Sequence, residues 1–250
     1  STMRISVNHD FERRVGIWPA GLDEDGELFC NQRYGDWPMA VEDARKDSWC
    51  SPSWYLLSYK KAMSASSFEE GKEPEKAADE NVQTWWRPLS AEREEWLCMD
   101  LGMISEVHAV QINFADDRIE IPVPGKIGGS ATQARYIEER DLATRWILEG
   151  SKDGAEYEVL VDKSEAETDL THDLVVWEEG KKLRYLRLTG VEVPYGQRPC
   201  ISGLRVFGMQ EKEKPGVPEF SAQREGDLDM QVVIRGTGAL GYNILWGEEP

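Results

Sequence analysis

The 250-residue sequence predicts an all-β protein built as an antiparallel sandwich, and three observations carry that expectation. Strand-length stretches with a two-residue apolar repeat recur through the middle of the chain. Turn residues separate them. No stretch keeps a helical repeat for long. Residues 96–101 (WLCMDL) place apolar side chains on both faces, as a central strand covered on each side would. In residues 107–114, Val110, Ile112 and Phe114 share one face, with Gln111 and Asn113 opposite. Trp146, Ile147 and Leu148 lead to Ser151-Lys152-Asp153-Gly154, a turn, and residues 157–161 return, which is a hairpin pattern. Leu186 and Leu188 alternate with Tyr185 and Arg187, and Leu204 and Val206 with Arg205 and Phe207.

Outside this run, residues 15–21, an Asp-Gly turn at Asp25-Gly26 and residues 28–30 predict a hairpin. Residues 230–234 and 241–246 read as strands near the C-terminal end. Residues 115–143 hold a Pro/Gly-rich irregular stretch, longer than the roughly 15 residues that structureless loops usually reach, which points to function or disorder. Within it, residues 136–141 read as a helical turn.

Composition narrows the function classes. Lys and Arg number 29 against 47 Asp and Glu, a formal charge of −18. Such a field repels phosphate backbones and anionic lipid, so neither nucleic acid nor a membrane surface is an expected partner. Neutral sugars, which need aromatic faces and hydrogen bonds, fit better. No apolar run approaches the roughly 20 residues of a membrane helix. No signal peptide opens the sequence, which reads as mature, trimmed or a fragment. Cys30, Cys50, Cys98 and Cys200 make no CxxC pairs, so zinc and dithiol chemistry are not expected. Cys98 and Cys200 read as small buried residues, and Cys30 and Cys50 would pair only in an oxidising compartment. There is no GxSxG, P-loop or HExxH motif. Nor does any motif mark the two carboxylates, about 5 to 10 Å apart, that glycoside hydrolysis requires.

A series of short landmarks runs through residues 79–208 in order: Asp79-Glu80-Asn81, Thr84-Trp85-Trp86, residues 96–102 (WLCMDLG), 149–154 (EGSKDG), 183–188 (LRYLRL) and 201–208 (ISGLRVFG). In that order they resemble the discoidin, or coagulation-factor type C, domains. These have the galactose-binding-like jelly-roll β-sandwich fold, and many are sugar-binding modules of secreted glycosidases. The resemblance covers residues 56–210. Residues 1–55 resemble the last blade of the five-bladed propeller of glycoside hydrolase family forty-three. Residues 211–250, a linker and two strands, resemble the opening of a fibronectin type III domain. The expected architecture is thus the sandwich with short β segments at both ends.

The resemblance implies a non-catalytic module that binds a glycan or polysaccharide. Its partner would be an upstream catalytic domain of the same polypeptide, in a secreted, periplasmic or cell-surface enzyme. It implies a calcium loop at Asp79, Asn81 and Thr84, whose oxygens suit a hard cation. The alternative there is an Asx turn holding itself closed, and Gly203 stands where sugar-binding members place a Glu that completes the site. Trp86 would be the core Trp, and Trp85, its neighbour on an extended chain, would face the other way. Tyr195, Gln197 and Arg198, in the loop before the last strand, and His172, in a polar stretch, are the other expected sugar contacts. Each also reads as ordinary loop packing or solvation. His9 would sit near the propeller axis. A second role, bracing the propeller without a sugar site, is suggested by Trp37, Trp49 and Trp54, which suit a seam better than a solvated linker.

Overall fold

The computed structural model describes residues 20–22, 25–30, 37–38, 54–91, 95–118, 141–211, 216–226 and 229–236. The expectations on His9, Trp49, Cys50, residues 121–130 and residues 241–246 lie outside them, as does all but Asp141 of the expected helical turn. The chain divides into two units, Ser1–Gln210 and Glu211–Pro250.

In the first unit, β1 (Ala20–Leu22) and β2 (Leu28–Cys30) form the expected antiparallel hairpin. Seven further strands make one antiparallel sheet: β3 (Tyr55–Leu56), β4 (Ala62–Ala65), β5 (Trp96–Ala115), β6 (Arg145–Ser151), β7 (Glu158–Asp162), β8 (His172–Glu192) and β9 (Cys200–Met209). Its order is β3-β9-β5-β8-β6-β7, with β4 also on β5. The all-β, antiparallel expectation is met.

The sandwich comes from two long strands, β5 of 20 residues and β8 of 21. They pair along their length as one ribbon that serves both layers. Residues 96–100 of β5 lie between β4 and residues 185–189 of β8, and β6 and β7 extend that layer. Beyond a register shift after Asp100, residues 106–113 of β5 lie between the first half of β8 and β9, and β3 extends the second layer. Gly102 (φ 84°) and Gly180 (φ 61°) take left-handed backbone conformations where the ribbon turns from one layer to the other.

The bend also explains a feature of the sequence. Leu97, Met99 and Leu101 point into the core, and so do Val110, Ile112 and Phe114. The inward positions switch from odd to even because the register slips between Val107 and Ala109, and each one-residue slip exchanges the faces of a strand. The alternation therefore reads as two strands where the molecule has one. Residues 172–182, with little apolar alternation, belong to the same long β8. His172, expected in a polar loop, is its first residue.

One buried cluster joins both layers, with Trp146, Leu148, Leu186 and Leu188 from the first, Leu204 and Val206 from the second, and Trp86. Each such side chain contributes about 1.5–3 kcal/mol on burial. Cys98 and Cys200 are buried as expected. On the outside of the second layer, Trp37 meets Phe207 edge-on at 5.2 Å, and Trp54 stacks on His108 at 5.0 Å. Trp37 Nε1 donates to the carbonyl of Trp54 (3.1 Å).

The second unit shows a hairpin of β10 (Glu219–Glu225) and β11 (Asp229–Arg235). The sequence had signalled only the latter.

Gly208 of β9 lies where β3 and β5 flank it. A Cβ there would stand 2.0 Å from the carbonyl oxygen of Glu106. Gly208→Ala is expected to cost about 1–3 kcal/mol through this backbone clash, seen as an earlier denaturant midpoint at unchanged slope. An unmoved midpoint would contradict the packing.

Candidate functional site at the strand ends

Because the ribbon folds over, both of its ends arrive at one side of the sandwich. Gly190, near the end of β8, packs on Pro199, and Cys200 opens β9 opposite Ala115, the last residue of β5. Thr171 accepts from the amide of Phe114, and Thr168 from that of Thr144. The loops 66–73, 84–90, 116–118 and 194–199 meet there.

Trp86 anchors them. Its backbone bridges Ile201 in both directions (2.9 and 3.0 Å), and its indole N–H donates to the carbonyl of Ser67 (3.0 Å). With Trp86 buried, Trp85 faces the loops. The Trp85 indole donates to Asp117 Oδ2 (3.1 Å), and Lys72 Nζ lies 3.1 Å from its ring centroid. Lys72 thus occupies one face of a ring expected to contact sugar.

Charges surround it. Glu69 accepts from Arg87, from Arg118 Nη2 (2.9 Å) and from Arg198 Nη1 (3.3 Å). Arg198 Nη1 also donates to the carbonyl of Pro88 (3.0 Å). Arg87 Nε stands 3.3 Å from Asp117, and Gln197 Nε2 donates to Asp116 Oδ1 (3.1 Å). Burial pushes the Glu69 carboxyl up, but the hydrogen bonds and charges of Arg118 and Arg87 hold it below the usual range. Burial raises the Cys200 thiol to about 12, so it stays neutral beside them. Tyr195, half-buried in a 3₁₀ turn over Pro194–Gly196, and Arg118 hold left-handed backbones (φ 64° and 57°). Such conformations cost on the order of 1 kcal/mol, persist where surroundings enforce them, and concentrate at functional loops.

Of the expected sugar contacts, the structure links Trp85, Gln197 and Arg198 through this network and sets Tyr195 beside the last two. His172 is engaged elsewhere: its Nδ1 lies 2.7 Å from Asn113 Oδ1, across the β5–β8 pairing. The sequence reading missed Glu69, Lys72, Arg87, Asp116, Asp117 and Arg118. The one signal was the charged triplet Asp116-Asp117-Arg118 directly after a predicted strand. A hollow of about 360 Å³ at the same end is lined by Thr144, Thr168, Leu170 and the Lys163–Asp173 pair, among others.

Asp79, Asn81 and Thr84 converge as an Asx turn. Asp79 Oδ1 accepts from the amide of Asn81 (2.8 Å), and Oδ2 from the Thr84 hydroxyl (2.7 Å), which lies 3.0 Å from the carbonyl of Asn81. The two Asp79 oxygens, the Thr84 hydroxyl and the Asn81 carbonyl are four oxygens, where calcium takes six to eight. Glu80 turns to Arg205 (3.1 Å), and Gly203 lies against the Asn113 amide. Among the described residues no group of three or more His, Cys, Asp or Glu side chains is placed to hold a metal ion.

No protein-family model and no curated protein matches the chain. Solved structures do. A chitosan-binding module 1 derived from a chitosanase/glucanase of Paenibacillus sp. IK-5 aligns over 62% of this chain and 99% of its own, at 17% identity and a TM-score of 0.46. The family 32 CBM (carbohydrate-binding module) of C. perfringens NanJ, in complex with galactose, aligns over 62% and 98%, at 15% identity and 0.47. A CBM32 module of CpGH89 from Clostridium perfringens, in complex with GlcNAc-α-1,4-galactose, aligns over 63% and 96%, at 12% identity and 0.47.

Glu95 fastens the loops to the first layer. It is buried and accepts from the hydroxyls of Ser66, Ser67 (2.8 Å) and Ser90 (2.8 Å). Burial raises its carboxyl, but these hydroxyls and the Ser90 amide more than offset that and leave it below 4.5. A depressed carboxyl stabilises the fold above its unfolded value, and the contribution fades as pH falls from there through the folded value. Glu95→Gln is expected to cost about 1–3 kcal/mol at pH 7 and to flatten the loss of stability below pH 4.5. Denaturant unfolding at neutral and acid pH measures both, and an acid loss as steep as wild type's would contradict the assignment.

Proposed function

We propose that the sandwich is a non-catalytic carbohydrate-binding module whose ligand sits on the loops at the strand ends. The observation that carries this reading is the set of Trp85, Gln197 and Arg198 on two loops held in one place by Trp86 and the Glu69 network. An indole edge, an amide and guanidiniums offer a sugar both apolar contact and hydrogen bonds. The neighbouring hollow, with hydroxyls and a charge pair on its wall, suits the same hydroxyl-rich chemistry. The order of landmarks through residues 79–208 supports it independently.

In this reading the module belongs to a multidomain glycosidase that is secreted, periplasmic or at the cell surface. Binding raises the attached catalytic domain's effective concentration at its substrate. The first 55 residues would be the tail of that domain and the last 40 the start of another module. A second reading, a brace, is favoured by Trp37 and Trp54 lying against Phe207 and His108. The two are compatible, because the seam covers the outside of the second layer and leaves the strand ends to the ligand.

Glycan-array screening of the whole chain tests the first reading, with a signal expected that Trp85→Ala reduces about tenfold or more, a loss of about 1.4 kcal/mol of binding. A silent array would overturn it. No turnover is expected on arabinosyl or xylosyl aryl glycosides, and measurable release of the aryl group would contradict a non-catalytic module. The loop at residues 79–84 is proposed to stand on its own hydrogen bonds. Calorimetric melting should be the same in calcium and in chelator, and a calcium-dependent rise of several degrees would restore the ion.

A further inference from the structure

Charge is unevenly spread over this protein. Against an overall surplus of 18 negative charges, Lys72, Arg87, Arg118 and Arg198 gather around two carboxylates, Glu69 and Asp117. Asp116, the next acid, holds the Gln197 amide, and Glu95 is taken up by three serines. Glu70 and Glu73 share the loop of Lys72, so the surplus is confined to the three guanidiniums, which share Glu69 and Asp117. Glu69 alone serves three guanidiniums and neutralises one unit of charge. Distant carboxylates do little to correct this, because salt screens them beyond about 8 Å under physiological conditions.

The cations are within reach of a ligand. The Arg118 side chain is 62% exposed and that of Arg198 31%. Both described hydrogen bonds of Arg198 use Nη1. Its Nε and Nη2, the edge that takes a carboxylate in two parallel hydrogen bonds, carry none among the described residues. Arg118 has Nη2 on Glu69 and Nε 3.9 Å from Asp117, and its Nη1 is likewise uncommitted. Those two acids place the guanidinium.

We propose that this cluster binds the carboxylate of a uronic-acid unit in a glycan, with Arg198 taking it through the Nε–Nη2 edge and Arg118 supplying the second charge. This inference rests on the carbohydrate-binding reading and names the class of sugar. A second carboxylate, brought by the ligand, completes the neutralisation that Glu69 leaves unfinished. The expectation from net charge, that neutral sugars suit this chain, is thereby reversed at one surface.

Isothermal titration of the 250-residue chain with trisaccharides of galacturonate, glucuronate and mannuronate, each beside its neutral counterpart, tests this. At low salt one uronate should bind about tenfold or more tightly than its neutral counterpart, the advantage shrinking at 150 mM salt as screening predicts. Arg118→Gln, at an exposed side chain, should remove most of that advantage while leaving the melting temperature in place, and Arg198→Gln should remove it as well. Equal or tighter binding of the neutral sugars overturns the inference and leaves the carbohydrate reading standing. So does a uronate preference untouched by Arg118→Gln. Failure of every trisaccharide together with a silent glycan array overturns both.

Discussion

The folded-over ribbon of β5 and β8 is the constraint on which the rest depends. Each strand supplies both layers, so the sandwich is one antiparallel sheet closed on its own core. Two glycines permit the bend, and register slips in β5 re-aim the side chains so that residues before and after it face the same interior. Were the ribbon straight, Leu97 and Ile112 would belong to different surfaces. Bent, they share one cluster with Trp86, Trp146 and Leu204.

The same bend builds the site. It brings both ends of the ribbon to one side, where β9 starts and β6 starts, and the connecting loops must crowd together. Crowded loops carry unpaired backbone groups and long polar side chains, which have to be satisfied locally. Trp86 and Glu95 do so by pinning loops to the core, with Glu69 and Asp117 doing so among the loops themselves. The result is a preorganised set of donors on a rigid frame, which lowers the cost of ordering them around a ligand.

Much of the fold was legible in the sequence, because the alternation of Val110, Ile112 and Phe114, or of Leu186 and Leu188, follows directly from burial of one face. The union of two apparent strands into β5 was not, since a bulge imitates a strand boundary when only periodicity is read. The first half of β8 was obscured for another reason. It lies at the edge of the second layer, where Leu174 and Val176 are exposed and Asp173 is the buried residue, bound to Lys163 (2.6 Å). At the candidate site, Trp85, Gln197 and Arg198 were singled out in the sequence by the family resemblance and by their place in loops next to strands. Glu69, Lys72 and Arg118 were not, because a charge in a polar loop carries no sign of its partner until the fold places the two together.

The central claim is that the ligand meets the strand ends. Amide and indole NMR spectra of the labelled chain, titrated with a glycan that the array identifies, measure this most directly. The account predicts shifts at the Trp85 indole and in loops 66–73, 116–118 and 194–199. Shifts confined to the outward-facing residues of the first layer, such as Asp100, Tyr185 and Arg187, would contradict it.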